Sequence, residues 1–376
     1  MPGIDEAVGM VGDWVDRGVV PGAALVVAHR GQVVSENYWG MADARAGRPA
    51  GPETLWSIAS ITKPVTAAAF MACVESGLLS VDGLVADSLP EFAHPDVTFR
   101  HLLTHTSGLA GFSRDNLELR KRHAPIDDFI KSFLSEEVHF PPGQWHLYSS
   151  VGFGLVAEAV GRALGGARPL QAYEGFTLEL LRTLGVEEAA FRPDDAQQER
   201  CDWVESTGQE GLDWEIGNSR YYRSLGMPWG GLFTRPRDVL AFIQAFLPSR
   251  QSASSRVLSE TALREMARAQ VAVPEAPASV AETQRDITWD PTSEPRASVP
   301  WGLGWEVKGT EPGDYFGDLA HATTFGHFGA SGTIAWADPE EDLAVVLLTN
   351  RAWASRWPVR ERRLARLANA IMAALD

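Results

Sequence analysis

The sequence predicts an α/β (α+β) protein: an antiparallel sheet flanked by terminal helices, with a mainly helical second lobe. Three observations predict it. Both ends of the chain carry a helix-period segment next to hairpin-like pairs of short apolar runs, the middle is dominated by helix-period segments, and no internal repeat is present. At the N-terminal end, Ile4, Val8, Val11 and Val15 recur at helical spacing and Gly18 supplies a stop. Residues 23–28 form a short apolar run, Arg30-Gly31 a turn, and residues 32–39 a second extended segment, which together predict a hairpin. At the other end, residues 332–337 and 343–348 flank the polar stretch 338–342 and predict another hairpin. Residues 359–375 then predict a closing helix with Leu364, Leu367, Ala368, Ile371 and Leu375 on one face. Between the ends, residues 126–134, 151–164, 178–184, 236–247 and 260–269 read as helices, and 271–299, rich in Pro, Ala, Ser and Thr, as an irregular return connection. The expected organisation is a discontinuous sheet lobe (residues 1–83 and 298–376) and a mainly helical lobe (84–297), with the active site in the cleft between them.

Composition excludes several function classes. A chain of 376 residues with 45% hydrophobic content can bury a large core, which suits an enzyme of two lobes. A net charge of −16 argues against a nucleic-acid or anionic-membrane partner, since either demands a basic surface. Cys73 and Cys201 are too few for a disulfide framework and match no metal spacing, which suits a reducing compartment. The opening residues Met-Pro-Gly-Ile-Asp-Glu lack the basic and apolar regions of a signal peptide, and no apolar run approaches a membrane span. The expected location is cytoplasmic.

The chemistry concentrates in Ser60-Ile61-Thr62-Lys63, at the predicted start of a helix running through Ala67, Ala68, Ala69, Phe70 and Met71 to Gly77. Residues three apart on a helix share a face, so the hydroxyl and the amine are neighbours. A serine hydroxyl needs a nearby base, and lysine serves as one when burial and positive potential lower its pKa. Helix-terminal N–H groups also suit a developing oxyanion. Of the four lysines, only Lys63 has a serine three positions before it. By itself so short a pattern also fits a capping serine beside a solvated lysine. A second element is Tyr148-Ser149-Ser150, ahead of the helix from residue 151: a phenol near an ammonium can relay protons, though aromatic packing explains Tyr148 equally well. The third, His327-Phe328-Gly329-Ala330, lies on an extended segment. Glycines 326, 329 and 332 permit close backbone approach to a ligand, and the Ala330 N–H is a candidate second oxyanion donor. A glycine-rich edge strand is the bland alternative.

Together and in this order, these elements resemble the serine β-lactamase and penicillin-binding-protein superfamily, with its Ser-x-x-Lys, Tyr-x-Asn and Lys-Thr-Gly motifs. The nearer likeness is to the class C-like branch, which includes the family VIII carboxylesterases. His101-Leu-Leu-Thr-His-Thr-Ser-Gly108, Gly230-Gly-Leu-Phe-Thr-Arg235, Trp301-Gly-Leu-Gly-Trp305 and Leu347-Leu-Thr-Asn-Arg351 carry it across the chain. The resemblance implies a β-lactamase-like fold, Ser60 as the acylated residue, Lys63 as its proton acceptor, and Tyr148 passing a proton to the leaving group and later activating water. Which of Lys63 and Tyr148 is the general base stays open. The backbone N–H groups of Ser60 and Ala330 would form the oxyanion hole, and Ser150, His327, Phe328 and Gly329 would contact substrate.

Departures from the family pattern point to the substrate. Ser150 replaces an asparagine that grips amides, His327 replaces a cationic lysine, and Phe328 replaces a hydroxyl donor. All three favour a neutral, apolar ester over an anionic lactam, although Arg351 offers a replacement charge. The expected activity is therefore carboxylic-ester hydrolysis through an acyl-serine, with a small-molecule ester and water as partners and no cofactor or metal. D-aminopeptidase, β-lactamase and acyltransferase activities are the alternatives on this scaffold. A silent binding module would normally lack the serine or the lysine, and both are present. His101 and His105, four apart, have metal-ligand spacing on a helix but lack the acidic partner of the zinc-protease pattern. Trp145, Trp203, Trp214, Trp229 and Trp301 are candidates to line an acyl pocket or to sit in the core. No Gly-x-Ser-x-Gly occurs, which removes the α/β-hydrolase elbow.

Overall fold

A computed structural model describes residues 3–251, 258–281, 296–310, 315–352 and 360–375. Its strands are β1 (Gly22–His29), β2 (Gln32–Asp43), β3 (Arg48–Pro49), β4 (Trp56–Ser57), β5 (Ala189–Ala190), β6 (Phe233–Thr234), β7 (Val271–Val273), β8 (Val299–Trp301), β9 (Glu306–Val307), β10 (Phe325–Gly329), β11 (Thr333–Asp338) and β12 (Leu343–Thr349). Among the described residues, nine form one sheet in the order β3-β2-β1-β12-β11-β10-β9-β8-β7, with antiparallel pairs throughout. The two ends of the chain meet at its centre, where Ala23 lies opposite Thr349 and His29 opposite Leu343. The Arg30-Gly31 turn has both residues at positive φ, +50° and +77°, as a tight hairpin of this hand requires.

Strand β1 is apolar at nearly every position because helices cover both faces of the sheet. Ala24, Val26 and Ala28 enter the larger core, shared with the helical half. Ala23, Leu25 and Val27 enter a smaller one. That second core is closed by the N-terminal helix Ile4–Asp16, through Val8, Val11 and Trp14, and by the C-terminal helix Arg360–Ala373, through Leu364, Leu367 and Ile371.

The helix Ile126–Leu134 has its expected bounds, and those at Ser150–Ala163, Pro236–Gln244 and Glu260–Ala267 lie within a few residues of theirs. Three expectations change. The helix read at 178–184 begins much earlier, at Pro169, because proline suits a first turn, where its missing N–H goes unused. The supposed irregular return contains β7, which pairs with β8 and adds an edge strand to the sheet; residues 282–295 of that stretch lie outside the described residues. Inside the stretch read as helical, β5 and β6 join β4 in a small three-stranded sheet. Residues 359 and 376 also lie outside the described residues. Cys73 and Cys201 are buried free thiols. Among the described residues no helix is long and apolar enough to cross a membrane.

Candidate active site

Ser60 sits in a single 3-10 turn, Ala59–Ile61, that runs directly into the helix Thr62–Glu75. The expected helical start is thus a tighter turn, entered through Ala59 at φ +45°. That conformation is uncommon for a residue with a Cβ and must be held by its surroundings. Thr62 Oγ1 supplies part of the hold: it donates to the Ala59 carbonyl at 2.6 Å and accepts from Leu232 N–H at 3.2 Å. Ile58 N–H donates to the Leu232 carbonyl at 3.1 Å, so the segment 229–232 and the nucleophile turn are latched together.

Lys63 is fully buried, although lysine is among the residues least often found so. Its Nζ lies 3.1 Å from Ser60 Oγ and donates to the Trp229 carbonyl at 2.9 Å. It also lies 4.7 Å from the centre of the Tyr148 ring and 6.0 Å from that of Phe153. The structure therefore brings together Ser60, Lys63 and Tyr148, which are read from two distant motifs. The Trp229 carbonyl was invisible to side-chain reasoning, because any residue type presents the same oxygen.

Tyr148 immediately precedes Ser149, the N-cap of the helix Ser150–Ala163. Ser149 Oγ accepts from Gly152 N–H at 3.2 Å and donates to the Ala110 carbonyl at 2.6 Å. Ser150 is the first helical residue, buried, with its N–H donating to the Gly111 carbonyl at 2.8 Å. Across from Tyr148, strand β10 presents His327, whose Nε2 is 3.4 Å from the Tyr148 hydroxyl. His327 Nδ1 lies 2.7 Å from the Phe328 carbonyl. A carbonyl only accepts, so the ring proton belongs on Nδ1, Nε2 carries the lone pair, and the phenol donates to it. Burial, reinforced by the adjacent Lys63 amine when protonated, pushes the His327 pKa down to about 3, so this imidazole is neutral at physiological pH. Phe328 is half-buried and its ring lies nearly parallel to that of Tyr148, 18° between planes and 6.3 Å between centres.

The glycines of this strand make close approaches, but to the protein itself. A Cβ on Gly329 would fall 2.2 Å from Thr333 Oγ1 and 2.3 Å from the Ile58 carbonyl, and one on Gly326 would fall 2.6 Å from the Ala335 carbonyl. Gly332, at φ +100°, approaches the Arg351 carbonyl in the same way. Gly329 thus seats the end of β10, and the Ala330 that follows, against the nucleophile turn. Arg351 is not a free charge, since its Nη2 donates to Glu205 Oε2 at 3.1 Å.

His101 and His105 do not share a helical face. The helix Phe99–Leu103 ends between them and His105 has φ +58°; His101 instead completes a capping box with Thr98. His105 is fully buried and accepts from Ser149 N–H through Nδ1 at 3.0 Å, and burial holds its pKa well below the ordinary value. Among the described residues, no group of three or more His, Cys, Asp or Glu is arranged to hold a metal ion. Of the tryptophans, Trp229 and Trp301 are core residues, and Trp301 packs edge-on against His105 at 4.9 Å. Trp203 lies under the Arg45 guanidinium, 3.0 Å from its ring centre.

A serine beside a buried lysine, with a phenol over that lysine, on a mixed sheet and helix scaffold, is the arrangement of a serine hydrolase. The chain belongs to the Beta-lactamase family, whose model matches residues 9–369. It is similar to Esterase EstB of Burkholderia gladioli, 29% identical over 367 residues that span 88% of this chain and 86% of that protein. Among solved structures, a penicillin-binding protein homolog from Caulobacter crescentus matches with a TM-score of 0.77 at 22% identity, covering 99% of this chain and 98% of that one. EstCE1, a hydrolase with promiscuous acyltransferase activity, matches with a TM-score of 0.71 at 20% identity, covering 96% of this chain and 98% of that one. At these identities the structural likeness establishes the fold.

Proposed function

We propose that this protein is a serine carboxylesterase that cleaves short- to medium-chain esters through an acyl-Ser60 intermediate, without metal or cofactor. The observation that carries the reading is the 3.1 Å approach of a fully buried Lys63 Nζ to Ser60 Oγ. In its neutral form the amine accepts the Ser60 proton while Nζ–H remains bound to the Trp229 carbonyl, and Ser60 Oγ attacks the ester carbonyl. The N–H groups of Ser60 and Ala330 hold the oxyanion of the tetrahedral intermediate. Tyr148 delivers the proton to the departing alcohol. A water then gives its proton back through Tyr148 and attacks the acyl carbon, releasing the acid and restoring Ser60. The general base is assigned to the Lys63–Tyr148 pair rather than to either member.

The ester preference rests on the side chains around Tyr148. A neutral His327 and an apolar Phe328 offer no cation to a substrate carboxylate, and the Arg351 charge is paired with Glu205. The similarity to Esterase EstB supports the same reading. The test is hydrolysis of p-nitrophenyl butyrate by the wild type and by Ser60→Ala, with nitrocefin measured alongside. The wild type should hydrolyse the ester, and Ser60→Ala should lose at least about 10³-fold in kcat. Comparable rates in both proteins would end the reading, and faster nitrocefin than ester turnover would promote β-lactamase over esterase.

A further inference from the structure

Ser57, three residues before Ser60, is held from two sides. Its N–H donates to Asp202 Oδ1 at 2.9 Å and its carbonyl accepts from Ser331 Oγ at 2.5 Å. Ser331 directly follows Ala330, and two residues further on Thr333 Oγ1 donates to the Ile58 carbonyl at 3.1 Å. Asp202 is fully buried, and its second oxygen, Oδ2, has no hydrogen-bond partner among the described residues. An ionised carboxylate kept from water with one oxygen idle is an expensive way to cap a single N–H, since a neutral side chain accepts that bond as well. The charged groups facing it are Arg223, which donates through Nη2 to the Asp202 backbone carbonyl at 2.8 Å, and Arg48, bound to the carbonyls of Arg200 and Cys201. The neighbouring Cys201 thiol stays neutral, burial pushing its pKa up to about 12.

We propose that Asp202 and Ser331 are positioning residues that clamp Ser57 between them and so set the geometry of the Ser60 nucleophile against the Ala330 N–H. This inference rests on the acyl-serine reading above. The anion binds the Ser57 N–H more strongly than a neutral carboxyl does, and Ser331 ties the same residue to the turn bearing Ala330. Burial raises the Asp202 pKa from 3.8 to about 6. Between those values the folded protein holds a proton that the unfolded chain has lost, so stability falls as pH rises through that window and stays lower above it. The carboxylate is thus retained at the expense of stability, as a positioning role requires and a purely structural role does not.

The test is Asp202→Asn and Ser331→Ala on the full chain. Asp202→Asn should be no less heat-resistant than wild type at pH 7.5, yet lose about tenfold in kcat with KM within about twofold. Its kcat profile should also lose an acidic limb near pH 6 that the wild type shows. Ser331→Ala should lower kcat to a similar degree, and the double variant should lose less than the product of the two, because both side chains hold one residue. Wild-type kcat and pH profile in Asp202→Asn would overturn the proposal, as would fully multiplicative losses in the double variant. Fluorophosphonate labelling of Ser60 keeps the two readings apart: labelled wild type with an unaffected Asp202→Asn sinks the clamp alone, whereas unlabelled wild type sinks the acyl-serine reading first.

Discussion

Around the nucleophile the polar atoms are fixed through backbone. Lys63 is tied to the Trp229 carbonyl, Thr62 to the Ala59 carbonyl and Leu232 N–H, and Thr333 to the Ile58 carbonyl. Around Tyr148, His327 and Phe328 meet the phenol through ring contacts and a 3.4 Å approach of the imidazole, while His327 Nδ1 is itself tied to the Phe328 carbonyl. Backbone partners cannot be exchanged by mutation and leave little room for adjustment, whereas ring contacts are broad and tolerate change in size. On the proposed acyl-serine reading, the first wall suits bond-making, which every substrate shares, and the second suits discrimination, which differs between substrates.

The sharpest way to break this contrast is Lys63→Ala, which removes the group joining Ser60 to Trp229 and should abolish turnover of every ester, by about 10³-fold or more in kcat. Retained activity would mean that the base lies elsewhere. Gly329→Ala comes next. Its new methyl would meet Thr333 Oγ1 and the Ile58 carbonyl inside 2.4 Å, so the melting temperature should drop by roughly 1–4 °C and kcat should fall with it. An unchanged melting curve would show that β10 shifts to take in the methyl. His327→Ala should act selectively, shifting the ratio of kcat/KM between small and bulky acyl esters by about tenfold. Because His327 is neutral down to about pH 3, the wild-type profile between pH 5 and 8 should contain no limb that this variant removes. Equal collapse on all substrates would move His327 to the bond-making wall. The smallest effect is expected of Ala59→Gly, which relieves the positive φ before the nucleophile at the cost of a more flexible unfolded chain, leaving stability within about 1 kcal/mol of wild type by denaturant titration. A large loss would mean that the Ala59 methyl packs a contact that matters more than its backbone.

The legible and illegible parts of the molecule divide along the same line. Ser60 and Lys63 could be paired from the sequence because one turn of helix relates them, and β1, β2, β11 and β12 because short hairpins do. The Trp229 carbonyl lies 166 positions from Lys63 and carries no side-chain signature. Strand β7 is short and its partner β8 is separated from it in sequence, so neither periodicity nor a turn signal marks the pairing. Glycines 326, 329 and 332 predict close backbone approach, and the approaches the structure shows are to Thr333, Ile58, Ala335 and Arg351. His101 and His105 have the spacing of one helical face, but the helix ends at Leu103, between them.

The central pairing of β1 with β12 joins residues more than three hundred positions apart. No ribosome can deliver that contact early: β1 must wait, its apolar edge uncovered, until nearly the whole polypeptide has emerged. Local helices such as Ser150–Ala163 can condense meanwhile, so maturation should be slow, with a late sheet-closing step during which a chaperone has the longest opportunity to act.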